Sequence, residues 1–169
     1  MHILQIVAVL VLPTLAILAA MSDATTYTIP NRLTSALALA FGPAALVVGV
    51  GLPTLGLCLL IGAGALVVGV GMFALGWIGG GDAKLLAGCA LWLGAPGLLP
   101  FLTWTALAGG ALALILLLVR RQPILPGLPG PAWAMRLIRP GENVPYGVAI
   151  AIGALAAFPT SALVKTMQV

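Results

Sequence analysis

LTSALALAFGPAALVVGVGLPTLGLCLLIGAGALVVGVGMFALGWIGGG, residues 33 to 81, contains no charged side chain. One helix needs about 20 residues to cross a bilayer, so this run is too long for a single crossing and must fold back once. Gly51-Leu52-Pro53-Thr54 supplies the breaker near its middle. Residues 85 to 119 repeat the pattern: again no charge, and a breaker at Gly94-Ala95-Pro96-Gly97. With the apolar segments 2–21 and 144–164, the count is six helices, near 2–21, 33–51, 54–78, 83–95, 98–119 and 144–164. The fourth is short, so it tilts or extends into the Pro96–Pro100 turn.

Composition agrees. Of 169 residues, 62% are apolar and only 6% charged, with a mean hydropathy of +1.23. That excludes an ordinary soluble domain and predicts an all-α, polytopic membrane protein. The longest polar connection, 120–143, is rich in proline and glycine rather than in domain-forming sequence. One domain spanning 1–169 is therefore expected, with lipids as partners and no nucleic acid.

Loops after the first, third and fifth helices share one side of the bilayer. They hold Asp23, Arg32, Asp82, Lys84, Arg120, Arg121, Arg136, Arg139 and Glu142, so six of the seven basic residues lie there and only Lys165 lies opposite. By the positive-inside rule that face, including loop 120–143, is cytoplasmic and the amino terminus is periplasmic. Residues 2–21 end in Ala19-Ala20-Met21, which faintly resembles a cleavable signal, but no Lys or Arg precedes the apolar run, only His2. The heptapeptide Ala-Leu-Val-Val-Gly-Val-Gly at 45–51 and 65–71 is read as coincidence in a restricted composition, because the two copies run in opposite directions.

The acids then stand out. Three carboxylates occur in the whole chain, Asp23, Asp82 and Glu142, and a charge at a helix centre costs roughly 2.5–3.5 kcal/mol even on insertion scales. Asp23 and Asp82 fall at the same membrane boundary. Two carboxylates brought close share a proton, so one can activate water while the other polarises a carbonyl and later donates to a leaving amine, which is aspartyl proteolysis. The pair titrates as a unit.

Gly79-Gly80-Gly81 before Asp82 lets the chain turn and approach a substrate strand closely, at roughly 1 kcal/mol each in a helix interior. Asp82 then heads the fourth helix, where a plain N-cap is the simpler reading. Asp23 follows the first helix, where a solvated loop acid is the simpler one. Six residues on, Ile29-Pro30-Asn31-Arg32 starts the second helix.

Asp23 followed by Ile29-Pro30-Asn31, and Gly79-Gly80-Gly81-Asp82 followed by Lys84, resembles the prepilin peptidases, the GxGD class of intramembrane aspartyl proteases. The likeness is to short members serving Tad/Flp-type pili and covers nearly the whole chain. It implies that Asp23 and Asp82 are the two catalytic aspartates, that Gly79, Gly80 and Gly81 shape the site, and that Lys84, Pro30 and Asn31 lie at positions bordering it. It further implies cleavage of type IV prepilin leaders at the cytoplasmic face, after a glycine and before the pilin's hydrophobic helix, with no metal or cofactor. Pro145-Tyr146-Gly147 also resembles a family segment. Longer members carry paired CxxC motifs between the first two helices and methylate the new amino terminus. Here residues 22–32 hold no cysteine, and methylation is not expected.

Other features have plainer readings. Cys58 and Cys89 fall within spans and read as packing residues. Gly76 and Gly80, at GxxxG spacing, read as bundle contacts rather than a dimer motif. Trp133-Ala134-Met135-Arg136-Leu137-Ile138-Arg139 reads as a basic amphipathic stretch on anionic lipid, or as a contact for the prepilin leader. The alternatives to a peptidase are a small ion- or proton-coupled transporter using the two acids, and a noncatalytic subunit of a secretion assembly.

Overall fold

A computed structural model describes residues 2–121 and 130–168, apart from the side chain of His2. The centre of the proline- and glycine-rich connection, 122–129, lies outside the described residues. The order is α1 (His2–Thr26), α2 (Asn31–Val48), α3 (Leu52–Ala74), α4 (Gly80–Arg120), α5 (Ala132–Leu137), α6 (Tyr146–Ala157), a 3-10 turn (Phe158–Thr160) and α7 (Ala162–Met167). Five helical segments among these residues are long and apolar enough to cross a membrane.

Residue sizes are distributed as a bilayer requires. The interior is filled by small side chains such as Ala16, Ala19, Cys89, Ala90, Ala151 and Ala154, while Leu46, Leu52 and Leu99 point outward at 75% exposure or more. In lipid there is no water-exclusion gain from hiding leucine, so close helix approach through small residues holds the bundle. A few large groups tie elements together. Trp92 of α4 packs edge-on against Phe41 of α2, centroids 5.8 Å apart, and its indole Nε1–H donates to the Leu37 carbonyl at 2.7 Å.

Helix ends differ from the sequence expectation in instructive ways. α1 runs to Thr26 rather than stopping near 21, because Thr25 and Thr26 return their hydroxyls to the carbonyls of Met21 and Ser22 at 2.7 and 2.8 Å, which lets polar residues continue the helix. It stops at Tyr27, which is left-handed at φ 54. Asp23 is thus a residue of the last turns of α1, not of a loop. α3 ends at Ala74 instead of 78, closed by Gly76 at φ 73, with Gly76 N–H bonding to Phe73 and Trp77 N–H to Met72. This is the Schellman pattern. Gly76 and Gly80 therefore flank a turn and form no common helix face.

The expected helices 83–95 and 98–119 are one element with a single non-helical residue, Gly94, at φ 61 and ψ −166. No turn of several residues intervenes. A Cβ at 94 would lie 2.8 Å from Cys58 Sγ and 2.9 Å from the Ala162 Cβ, so glycine is required there by both conformation and space. Pro96 then starts the second limb without needing an amide partner. Straight, 41 residues would run about 60 Å, twice a bilayer's hydrocarbon. Instead α4 is a hairpin of limbs 80–93 and 95–120: one cavity is lined by Asp82 and Leu86 from the first limb and by Thr105, Gly109 and Ala113 from the second.

The last apolar segment, expected as one helix over 144–164, is interrupted at Pro159 by the 3-10 turn, and α7 restarts with Ser161 Oγ accepting the Val164 N–H at 3.3 Å. The basic stretch 133–139 does contain a helix, α5.

Candidate active site

The end of α1, the start of α4 and the start of α6 meet at one end of the bundle. Two adjoining cavities lie there, of about 270 and 260 Å³, and both are bordered by Asp23, Tyr27, Gly79 and Asp82. Two acids separated by more than two helices of sequence thus face the same space.

Their surroundings differ. Asp23 is 5% exposed, and its Oδ2 accepts the backbone N–H of Gly147 at 2.7 Å. That donor is one of the free amides in the first turn of α6, which the helix dipole makes a good anion partner. Gly147 has no room for a side chain: a Cβ would sit 2.8 Å from Asp23 Oδ2 and 2.9 Å from Ile29 Cδ1. Asp82 is half-buried. Its Oδ2 accepts the Gly79 N–H at 3.2 Å, while its Oδ1 is buried with no hydrogen-bond partner. A buried carboxylate oxygen without a donor is costly, and its residue borders the shared cavity.

Gly79, not Asp82, is the N-cap of α4, and Asp82 reaches back to it from the third helical position. The three glycines before Asp82 serve proximity rather than an unusual turn. None has a positive φ; the turn's left-handed residue is Gly76. At Gly81 a Cβ would approach Ile29 Cβ to 3.0 Å, at Gly79 one would meet Asp82 Oδ2 at 2.9 Å, and at Gly80 only ordinary contact with Phe73 would result. Gly81 lets α4 close on Ile29, and Ile29 in turn packs beside Gly147.

Pro30 precedes α2 and Asn31 opens it. Asn31 Oδ1 accepts from Lys84 Nζ at 2.8 Å, so these two residues join the starts of α2 and α4 on an exposed face. Neither Pro30, Asn31 nor Lys84 lines the two carboxylate cavities.

Three residues matter here that were not among the expected site residues. Tyr27 borders both cavities, has a buried hydroxyl without a partner, and carries Arg136 over its ring, 4.9 Å from the centroid. Burial pushes its phenol above the usual range, against the pull of the Arg120 charge, so it stays a protonated donor at neutral pH. Arg120 gives Nε–H to the Leu137 carbonyl at 2.9 Å and its two terminal nitrogens to Glu142 and Asn143 at 2.8 and 2.9 Å. It thereby fixes the segment that leads into α6 and delivers Gly147. Gly147 was visible only as part of Pro145-Tyr146-Gly147; its bond spans 124 positions, which no local pattern encodes.

The fold and site define a class: a multi-pass, all-helical membrane protein with a two-carboxylate pocket at one end of the bundle. Residues 10–114 match the type IV leader peptidase family, and the chain belongs to that family. The family is one of aspartic-type proteases acting on prepilins. The matched region contains Asp23, Asp82, Pro30, Asn31 and Lys84 and ends before Arg120 and Gly147. No curated protein and no solved structure matches the chain.

Proposed function

We propose that this protein is an aspartyl endopeptidase that removes the leader from type IV prepilins of the Tad/Flp kind, after a glycine, at the cytoplasmic face of the bacterial inner membrane. Asp23 and Asp82 are its paired acids. The observation that carries this reading is that both line the same cavities, with Asp82 Oδ1 left without a donor. An unmet oxygen beside a second acid would accept a hydrogen bond from water when ionised, or donate to a substrate carbonyl when protonated.

The ionised acid takes a proton from water as its oxygen attacks the scissile carbonyl. The protonated acid gives its proton to the carbonyl oxygen. Collapse of the tetrahedral intermediate breaks the C–N bond, the nitrogen receives a proton, and a carboxylic acid and an amine leave. The chemistry needs neither metal nor cofactor. Asp23, held by Gly147, is the fixed partner, while Gly79 and Gly81 leave room for the Asp82 carboxylate and for Ile29 to pack against the start of α4.

Counting the two limbs of α4 separately would make six crossings, and with the positive-inside rule this supports a periplasmic amino terminus and basic residues on the cytoplasmic side. A transporter would keep acids at a helix break near the midplane. Here the break, Gly94, carries no acid and lies about 18 Å along the limb from Asp82.

Coexpression with a candidate prepilin tests the reading: Asp23→Asn and Asp82→Asn, each made separately, abolish the smaller mature pilin while the protein still accumulates in membranes. Mature pilin with either variant defeats it. A reporter fused within 120–143 reads cytoplasmic; a periplasmic signal overturns the orientation.

A further inference from the structure

Across the first limb of α4 from the carboxylate cavities lies a half-open trough of about 320 Å³. Asp82 and Lys84, two positions apart on a helix, point about 200° apart, and Asp82 borders the carboxylate cavities while Lys84 borders this trough. Its walls are α2 and α3, which pack on α4 rather than on each other. Contacts along the limb fix the levels. A Cβ at Gly69 would meet Ala83 Cβ at 3.1 Å and one at Gly62 would meet Leu91 Cβ at 2.8 Å, so α3 runs antiparallel to the limb. Lys84 reaches Asn31, and a Cβ at Gly88 would meet Leu37 Cδ2 at 2.7 Å, so α2 runs parallel to it. Thr34, Ser35 and Lys84 therefore stand together at the end where α2 and α4 begin, and Gly88 and Leu91 floor the trough about 6 and 10 Å deeper.

The mouth is positive and the interior apolar. Lys84 Nζ gives one of its three donors to Asn31 Oδ1 at 2.8 Å, Arg32 is exposed one turn before Ser35 on the same face of α2, and the amino ends of α2 and α4 add their dipoles. None of the chain's three acids lines the trough. A neighbouring trough, between α3 and the two limbs of α4, is apolar along its whole lining, so hydrocarbon of any kind covers it. We propose that the Lys84 trough binds one anionic phospholipid, its phosphate on Lys84, Arg32 and Ser35 and an acyl chain between α2 and α3 over Gly88 and Leu91. An apolar helix in this place would leave the cations unmatched, and a peptide here would be separated from Asp82 by the limb itself. A phosphate joined to a hydrocarbon tail matches both halves. The site rests on insertion in a bilayer alone and stands whether or not the chain cuts prepilin.

The full chain, purified in a neutral detergent, is titrated with phosphatidylglycerol and with phosphatidylcholine of the same acyl chains and read by native mass spectrometry. Lys84→Gln lowers the preference for the anionic lipid about fivefold, the worth of one basic residue at an anionic surface, and Lys84→Arg keeps it. Lys165→Gln, at an exposed cation of α7 away from the trough, changes nothing. Asn31→Ala breaks the bond to Lys84 but spares the charge, so the preference stays; its loss there would make Lys84 a purely structural residue and overturn the proposal. Ala63→Phe, from an exposed position in the α3 wall, fills the trough and weakens both lipids alike. Unchanged preference in Lys84→Gln, or unchanged binding in Ala63→Phe, overturns the site. A second readout works in membranes. p-Benzoylphenylalanine in place of Leu66, exposed in the same wall, crosslinks to phospholipid even where prepilin is coexpressed. Crosslinks to prepilin instead assign the trough to a peptide and overturn the lipid site.

Discussion

Asp23 and Asp82 stand at opposite kinds of helix end, and they are held in different ways. Asp23, near the carboxyl end of α1, is buried and gripped from across the chain by Gly147 at 2.7 Å. Asp82, in the first turn of α4, is gripped only by its own turn, at 3.2 Å, and keeps one oxygen free. The first acid depends on tertiary structure and the second on local structure. Damage far from the cavity should therefore reach the chemistry through Asp23, whereas Asp82 should be disturbed only by changes in its own glycines.

The largest effect of that kind is expected at Gly147. Gly147→Ala drives a methyl group against Asp23 Oδ2 and Ile29, so prepilin processing falls by about a hundredfold, as misplacements of about 1 Å do, and stability by about 1–3 kcal/mol. Processing near the wild-type rate would show that Asp23 needs no such grip. Next comes Arg120→Ala, which frees three carbonyls and loosens the approach to α6. It lowers kcat about tenfold with little change in KM, and Arg120→Lys, lacking the planar fork, rescues poorly. A pure KM effect would place Arg120 in substrate binding instead.

On the Asp82 side the comparison predicts a local split. Gly81→Ala, forced against Ile29, costs activity by about tenfold or more, while Gly80→Ala, in ordinary contact with Phe73, stays within about twofold; equal losses would mean that the glycines act through flexibility instead of proximity. The smallest effect belongs to Asn31→Ala, which removes an exposed bond to Lys84 that is worth about 0.5–1.5 kcal/mol. Thermal stability in detergent should drop slightly and activity less than threefold.

Much of this architecture could be read from charge alone. In an apolar chain every ionisable residue marks an interface, and that scarcity pointed to Asp23 and Asp82 before any geometry. Helix ends were less legible. Threonines at 25 and 26 look like a loop, yet bond back to the preceding turn; Gly94-Ala95-Pro96-Gly97 looks like a turn, yet only Gly94 leaves the helix; Pro159 breaks a run that hydropathy alone carries through. Long-range partners were not legible at all. The Gly147 amide and the three carbonyls held by Arg120 are backbone groups, which every residue possesses, so no residue type advertises them.

The central claim is that two differently held carboxylates act as one catalytic unit. Single-turnover cleavage of a prepilin by Asp23→Asn, Asp82→Asn and the double variant, in membranes at matched protein levels, tests it most directly. The account predicts that each single variant loses about as much as the double, because neither acid works without the other. Modest single losses that multiply in the double variant would contradict it.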